Sequence, residues 1–240
     1  DVGPDGRYLL FTSTAGQQKN LYRYDRETGE SQQLTDHEQP VWGAVFGDDA
    51  GGVAYVTNES DDLENKDVYL ASVADLAAEG GDAARNLHIG AEGAEAGVSD
   101  WQGDRLLVHD NSQDLGRVGT YHVPSDEVTW YGPNEAEEYA VRFTPDGDVL
   151  AMRTRECAIM PVRYDAPDGD GAEFDLPEGV AAAAGTGTTG TFTADGGVLT
   201  TFGTDATRQS VVVYHPDTGE YETVVDAEYG DFDPETFTSV

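Results

Sequence analysis

The sequence predicts an all-β fold: a β-propeller made of four-stranded antiparallel blades, with about five units present and the first one incomplete. Three observations predict it. Turn glycines recur just before apolar runs: Gly6, Gly51, Gly103, Gly147 and Gly196 precede Tyr8 to Phe11, Val53 to Val56, Arg105 to Val108, Val149 to Met152 and Val198 to Phe202. By subtraction of those positions the spacings are 45, 52, 44 and 49 residues, the period of a propeller blade of roughly 40–50 residues and about four strands. An outer turn repeats as well. Tyr24-Asp25-Arg26-Glu27-Thr28-Gly29-Glu30 returns as Tyr214-His215-Pro216-Asp217-Thr218-Gly219-Glu220, with a looser echo from Tyr164 to Gly169.

The founding unit runs over about 1–40. Pro4-Asp5-Gly6 is a turn, because Asp-Gly supplies the positive φ that a hairpin needs. Tyr8-Leu9-Leu10-Phe11 and Leu21-Tyr22-Arg23-Tyr24 are strands on their aromatic and leucine content, and a closing strand runs to Leu34. Asp1-Val2-Gly3 is only a stub of the innermost strand. One such meander cannot bury its own face and must stack on copies of itself. The second unit, 41–95, has Trp42 to Phe46 inside, Asp67 to Val73 as third strand and a helical turn over Ala74 to Ala78. The third, 96–138, has strands at Val98 to Trp101, Leu106 to His109, Gly119 to Val123 and Val128 to Tyr131. The fourth, 139–184, begins at Tyr139 to Phe143 and includes Ala158 to Tyr164. The fifth, 185–228, opens on the weak Gly- and Thr-rich segment Gly185 to Thr193 and continues through Ser210 to Tyr214 and Tyr221 to Val225. Residues 229–240 are turn-like and form an exit linker.

Composition sets limits on function. At 240 residues and 38% hydrophobic content the chain buries a large core and is no disordered segment. No apolar run approaches the roughly 18 residues of a membrane span. The absence of an initiator Met and of a leader pattern marks the chain as an expected piece of something longer. The 47 acidic and 13 basic residues give a net charge of −34, and Lys19 and Lys66 are the only lysines. That charge strains a compact state at low ionic strength, whereas a Debye length of about 3 Å at 1 M salt removes most of the repulsion. The pattern resembles proteins of extremely halophilic archaea and disfavours nucleic acid as a partner. The single cysteine, Cys157, excludes an internal disulfide and fits a reducing, cytoplasmic compartment. Its apolar neighbours make it a buried strand residue.

The Pro-Asp-Gly turns, Leu21-Tyr22-Arg23-Tyr24-Asp25, Leu34-Thr35-Asp36 and the acidic exit over Asp226 to Val240 resemble the propeller of the prolyl oligopeptidase family of serine peptidases, in its dipeptidyl and acylaminoacyl peptidase branch. The same turns occur in TolB-like and WD40-like propellers. The peptidase resemblance implies a non-catalytic domain that limits access of short peptides to a Ser-Asp-His triad on an α/β-hydrolase domain beyond Val240, in the same polypeptide. A stand-alone TolB-like scaffold for protein partners is the alternative, and a propeller enzyme using channel histidines and a metal is a third reading.

The chain itself offers no catalytic residue. An α/β-hydrolase serine needs a Gly-x-Ser-x-Gly elbow, and the nearest approach, Gly97-Val98-Ser99-Asp100-Trp101, ends in Trp101. Ser99 is therefore a strand residue. His37, His88, His109, His122 and His215 lack metal-ligand spacing, and Asp168-Gly169-Asp170-Gly171 lacks the distal Glu of a calcium loop. No metal or cofactor is expected. The substrate-binding candidates are Glu59, Asp61, Asp62 and Glu64, an acidic insertion suited to a peptide amino terminus or, more simply, a solvated loop. Trp42, Trp101 and Trp130 are expected to pack between blades.

Overall fold

The computed structural model describes residues 1–58, 65–90, 94–112, 115–155, 158–175, 181–182, 192–193, 195–205 and 208–225. These residues form five antiparallel sheets, three in a compact unit Asp1–Trp130 and two in a second unit Tyr131–Val240.

In the first unit, β1 (Tyr8–Gly16), β2 (Gln18–Asp25) and β3 (Glu30–Gln33) form a three-stranded sheet in chain order. The expected stub is present: Val2 bridges to Leu9, and Asp1 O accepts the Leu10 amide at 2.8 Å. A four-stranded sheet follows, of β4 (Val41–Phe46), β5 (Gly52–Asn58), β6 (Lys66–Ser72) and β7 (Arg85–Asn86). Between its last two strands lies α1 (Val73–Glu79), slightly longer than the expected helical turn. Ser72 starts it, its Oγ accepting the Asp75 amide at 3.0 Å and donating to the Asp75 carboxylate at 2.7 Å. The third sheet is β8 (Ala96–Gln102), β9 (Arg105–Asp110), β10 (Arg117–His122) and β11 (Glu127–Trp130).

The second unit repeats the pattern. β12 (Glu137–Phe143), β13 (Val149–Arg155), β14 (Ala158–Tyr164) and β15 (Ala172–Glu173) make one sheet, and β16 (Ala181–Ala182), β17 (Val198–Asp205), β18 (Arg208–His215) and β19 (Glu220–Val225) the other. One expectation shifts. Among the described residues, the strand paired at the inner side of the last sheet is Ala181–Ala182, with Phe202 and Gly203 as partners, ahead of the segment opening at Gly185. Within that segment Phe192 bridges Val198, and residues 183–191 lie outside the described ones.

The repeat is physical as well as textual. Gly6, Gly103, Gly147 and Gly196 all have positive φ; at the second turn that conformation falls on Ala50, φ 55°, one residue before Gly51. The duplicated outer turn makes the same hydrogen bonds twice. Gly29 N donates to Asp25 O at 2.8 Å and Gly219 N to His215 O at 2.9 Å. Thr28 and Thr218 hydroxyls each accept from the amide two residues on, at 3.3 and 3.2 Å.

Packing explains why the second strand of a unit is a continuous apolar run. Val53 and Tyr55 of β5 enter a cluster with Leu10, Leu21 and Val41, whereas Ala54 and Val56 enter another with Leu106 and Val108. A strand with a neighbouring sheet on each face buries both sets of alternating side chains. Trp101 packs as expected across two sheets. A Cβ on Gly52 would stand 2.6 Å from its ring, so only glycine fits beneath it. In the second unit Leu150, Phe174, Val198, Phe202, Val212 and Tyr214 fill the corresponding space.

The seam between the first two sheets also buries polar groups. His37 pairs its Nε2 with the Tyr55 hydroxyl at 2.8 Å, and its amide donates to Asn20 Oδ1 at 2.9 Å. Burial pushes the imidazole below its ordinary range, against the opposing pull of Asp36 and Asp82. The unfolded chain therefore takes up the His37 proton more readily than the folded one. The stability this histidine confers is complete above the ordinary imidazole value of about 6.5 and is lost as pH falls through the folded-state value. In molar KCl, the urea midpoint is expected to fall between pH 8 and pH 5, and by less in His37→Gln. Equal falls in both proteins would remove His37 from the account.

Candidate functional site

The expected substrate residues Glu59, Asp61, Asp62 and Glu64 lie outside the described residues, as does Cys157. Their anchor points are described. Asn58 ends β5 and Lys66 begins β6, and the two are register partners, so the acidic insertion leaves and returns at this edge of the first unit.

A cluster of other side chains occupies the same edge. The β4–β5 register slips between Val41 and Gly43, a bulge of the kind that re-aims a side chain. Trp42 is the slipped residue and is 43% exposed. Asn58 Oδ1 accepts from its indole Nε1 at 2.8 Å, which fixes the ring. Lys66 Nζ stands 4.9 Å and Lys19 Nζ 5.0 Å from the ring centroid, within cation–π reach. Lys66 is also paired with Glu95 Oε1 at 2.5 Å. Lys19 has no carboxylate partner among the described residues. Thus the chain's two lysines, contributed by adjacent sheets, converge on one exposed tryptophan. Inter-blade contact, the expected role of Trp42, is only part of what this residue does.

The third sheet repeats the theme with its charges satisfied. Arg117 reaches the buried Asp110 carboxylate at 3.0 and 3.2 Å and lies 3.8 Å over Trp130. His109 lies next to Asp110 in sequence, and its buried Nδ1 has no hydrogen-bond partner among the described residues. Burial lowers its pKa, Lys66 adding to the effect and Glu95 and Asp110 opposing it.

The remaining candidates are dispersed. Ser99 is in β8, as expected. His37 sits in the sheet seam, and His122 Nδ1 meets Ser125 Oγ at 2.8 Å in a turn. Asp170 uses its carbonyl to accept from Arg153 at 2.7 Å. Among the described residues no three His, Cys, Asp or Glu side chains converge as metal ligands, and no helix is long and apolar enough to cross a membrane. The sequence did hold a signal for the Trp42 cluster. Lys19 and Lys66 are 47 positions apart, one repeat length, each at the start of the corresponding strand of its sheet.

The sequence matches no protein-family model and no curated protein. Solved structures do resemble it. A puromycin-hydrolyzing peptidase of Mycobacterium tuberculosis aligns with a TM-score of 0.72 at 16% identity, over 97% of this chain and 37% of its own. A putative TolB of Agrobacterium tumefaciens aligns at 0.70 and 15% identity, over 94% and 79%. TolB of Acinetobacter baumannii gives 0.68 and 16%, over 93% and 54%. The chain therefore spans about half the length of one TolB and little more than a third of the peptidase. At these identities the likeness establishes the fold, that of a TolB-like β-propeller.

Proposed function

We propose that this chain is a non-catalytic propeller domain of a serine peptidase, one that gates access of short peptides to a triad carried by a separate α/β-hydrolase domain of the same polypeptide. The observation that supports this most is the alignment of nearly the whole chain with a minor part of a peptidase. The absence of a nucleophile elbow from the sequence accords with it. In this reading the loops at the Trp42 edge filter substrates, and Glu59, Asp61, Asp62 and Glu64 attract a peptide amino terminus. The native compartment is a cytoplasm at molar salt, in a halophilic archaeon. The TolB alignments favour a second reading, a stand-alone scaffold that binds protein partners.

The test uses the natural full-length product, recognised by an antibody to this chain and treated in molar KCl with a fluorophosphonate that labels activated serines. A labelled band much longer than 240 residues is the expected result. An unlabelled band of the chain's own size would overturn the peptidase reading in favour of the scaffold.

A further inference from the structure

The sequence holds five Asp-Gly pairs, at Asp5, Asp146, Asp168, Asp170 and Asp195. Glycine has no Cβ to shield its amide nitrogen from the preceding side chain, so each pair can close to a succinimide when that nitrogen is available. At four of them it is engaged. Gly6 donates to Gly3 O at 2.8 Å, Gly147 to Thr144 O at 2.9 Å, Gly196 to Thr193 O at 3.0 Å and Gly169 to Ala166 O at 3.4 Å. Gly171 differs. Arg163 and Ala172 are register partners in β14 and β15, and Phe174 N donates to Pro161 O at 3.0 Å. Antiparallel bonding alternates along a strand pair, so the Gly171 amide faces away from β14, on the outer side of an edge strand. It has no acceptor among the described residues. Asp170 is exposed, and its carboxylate likewise has no hydrogen-bond partner among them.

We propose that Asp170 is a self-modification site, at which aspartate converts to isoaspartate without an enzyme or cofactor. The Gly171 nitrogen bonds to the side-chain carboxyl carbon of Asp170 and gives up its proton, while the protonated carboxyl loses its hydroxyl as water. A second water then opens the five-membered ring. Addition at the main-chain carbonyl breaks that carbon's bond to Gly171 N, so the backbone continues through the side-chain carbon and the old carbonyl becomes a carboxylate. Mass is conserved, and the main chain gains one methylene. The position gives this change a consequence. Asp170 O is the carbonyl that accepts from Arg153 Nη2 at 2.7 Å. A Cβ on Gly171 would stand 2.6 Å from Val162 Cγ2 and 2.8 Å from the Tyr164 ring. A displaced glycine therefore has no room beside the network of Arg153, Glu138 and Tyr164. Isomerisation at the exposed edge loosens a buried ion pair, and the sheet of β12 to β15 carries its own ageing site.

Peptide mapping of aged protein tests this. The natural full-length product is kept warm in molar KCl at near-neutral pH for several weeks and digested. Electron-transfer fragmentation of its peptides then tells isoaspartate from aspartate at equal mass. Isoaspartate is expected to accumulate at Asp170 several-fold faster than at Asp5, Asp146, Asp168 or Asp195. In protein aged unfolded in urea, the five rates are expected to converge. No isoaspartate at Asp170, a faster rate at any other of the five, or the same ranking in the unfolded chain would overturn the site. The consequence is read separately. Asp170→Glu retains the charge and the main-chain carbonyl, while its longer side chain would have to close a slower six-membered ring. The urea midpoint of the original protein is expected to fall with ageing and that of Asp170→Glu to stay level. Equal falls in both would refute the link between Asp170 and the buried network.

Discussion

Dialysis of this chain from molar KCl into dilute buffer is expected to abolish most of its far-ultraviolet β signal. The net charge of −34 is distributed, not localised. The five turns that precede β1, β5, β9, β13 and β17 each carry an exposed aspartate: Asp5, Asp49, Asp104, Asp146 and Asp195. Two unit charges about 10 Å apart in water repel by about 0.4 kcal/mol when unscreened. Summed over neighbours, some tens of uncompensated charges reach the order of 10 kcal/mol, which equals the whole stability of a typical domain at about 5–15 kcal/mol. Screening decides the balance, since the Debye length is about 30 Å at 0.01 M and about 3 Å at 1 M. Replacing the five turn aspartates with asparagine is expected to lower the KCl concentration at which the fold is half formed. A β signal of equal size in dilute buffer and in molar KCl would remove the case for salt adaptation.

Most of the fold was legible because the turns and the central strands of each sheet are chemically simple. Val53 to Val56 and Val149 to Met152 are apolar runs between turn residues, and a strand buried on both faces has that signature whatever surrounds it. The two-residue strands Arg85–Asn86, Ala172–Glu173 and Ala181–Ala182 were not legible, since so short a pairing leaves no alternation to detect. The candidate site was harder. Trp42 becomes an exposed platform through a register slip, and Lys19 reaches it from another sheet, so no window of sequence contains the cluster. Its trace was the spacing of two lysines by one repeat. Arg153 was hidden for the opposite reason. A charged residue after Met152 suggests a solvent face, and only the pairing of Arg153 with Glu138 reveals that its partner is buried beside it.

Arg153→Ala is accordingly expected to cost about 3–5 kcal/mol, the scale observed when one member of a buried ion pair is removed. Both side chains of the pair are only 7% exposed, with Arg153 Nε and Glu138 Oε1 2.7 Å apart. The same guanidinium donates from Nη1 to Glu173 at 3.0 Å and from Nη2 to the Tyr164 hydroxyl at 2.7 Å, while Tyr164 donates onward to Glu138 at 2.7 Å. One arginine thus ties together all four strands of its sheet. Burial opposes its charge, but hydrogen bonds with Glu138, Glu173 and Tyr164 outweigh that and raise its pKa. Burial and Glu138 likewise raise the pKa of Tyr164, which keeps the phenol a donor. Removing the guanidinium leaves Glu138 charged, buried and short of its main donor. Arg153→Lys is expected to recover only part of the loss, because an ammonium cannot reproduce the planar fork. Arg153→Met combined with Glu138→Leu is expected to cost less than Arg153→Ala, since no orphaned charge remains. Urea unfolding in molar KCl reads all three. A cost below about 1 kcal/mol for Arg153→Ala, the range of an exposed ion pair, would mean that water reaches Glu138 and that packing, not this network, holds the sheet together.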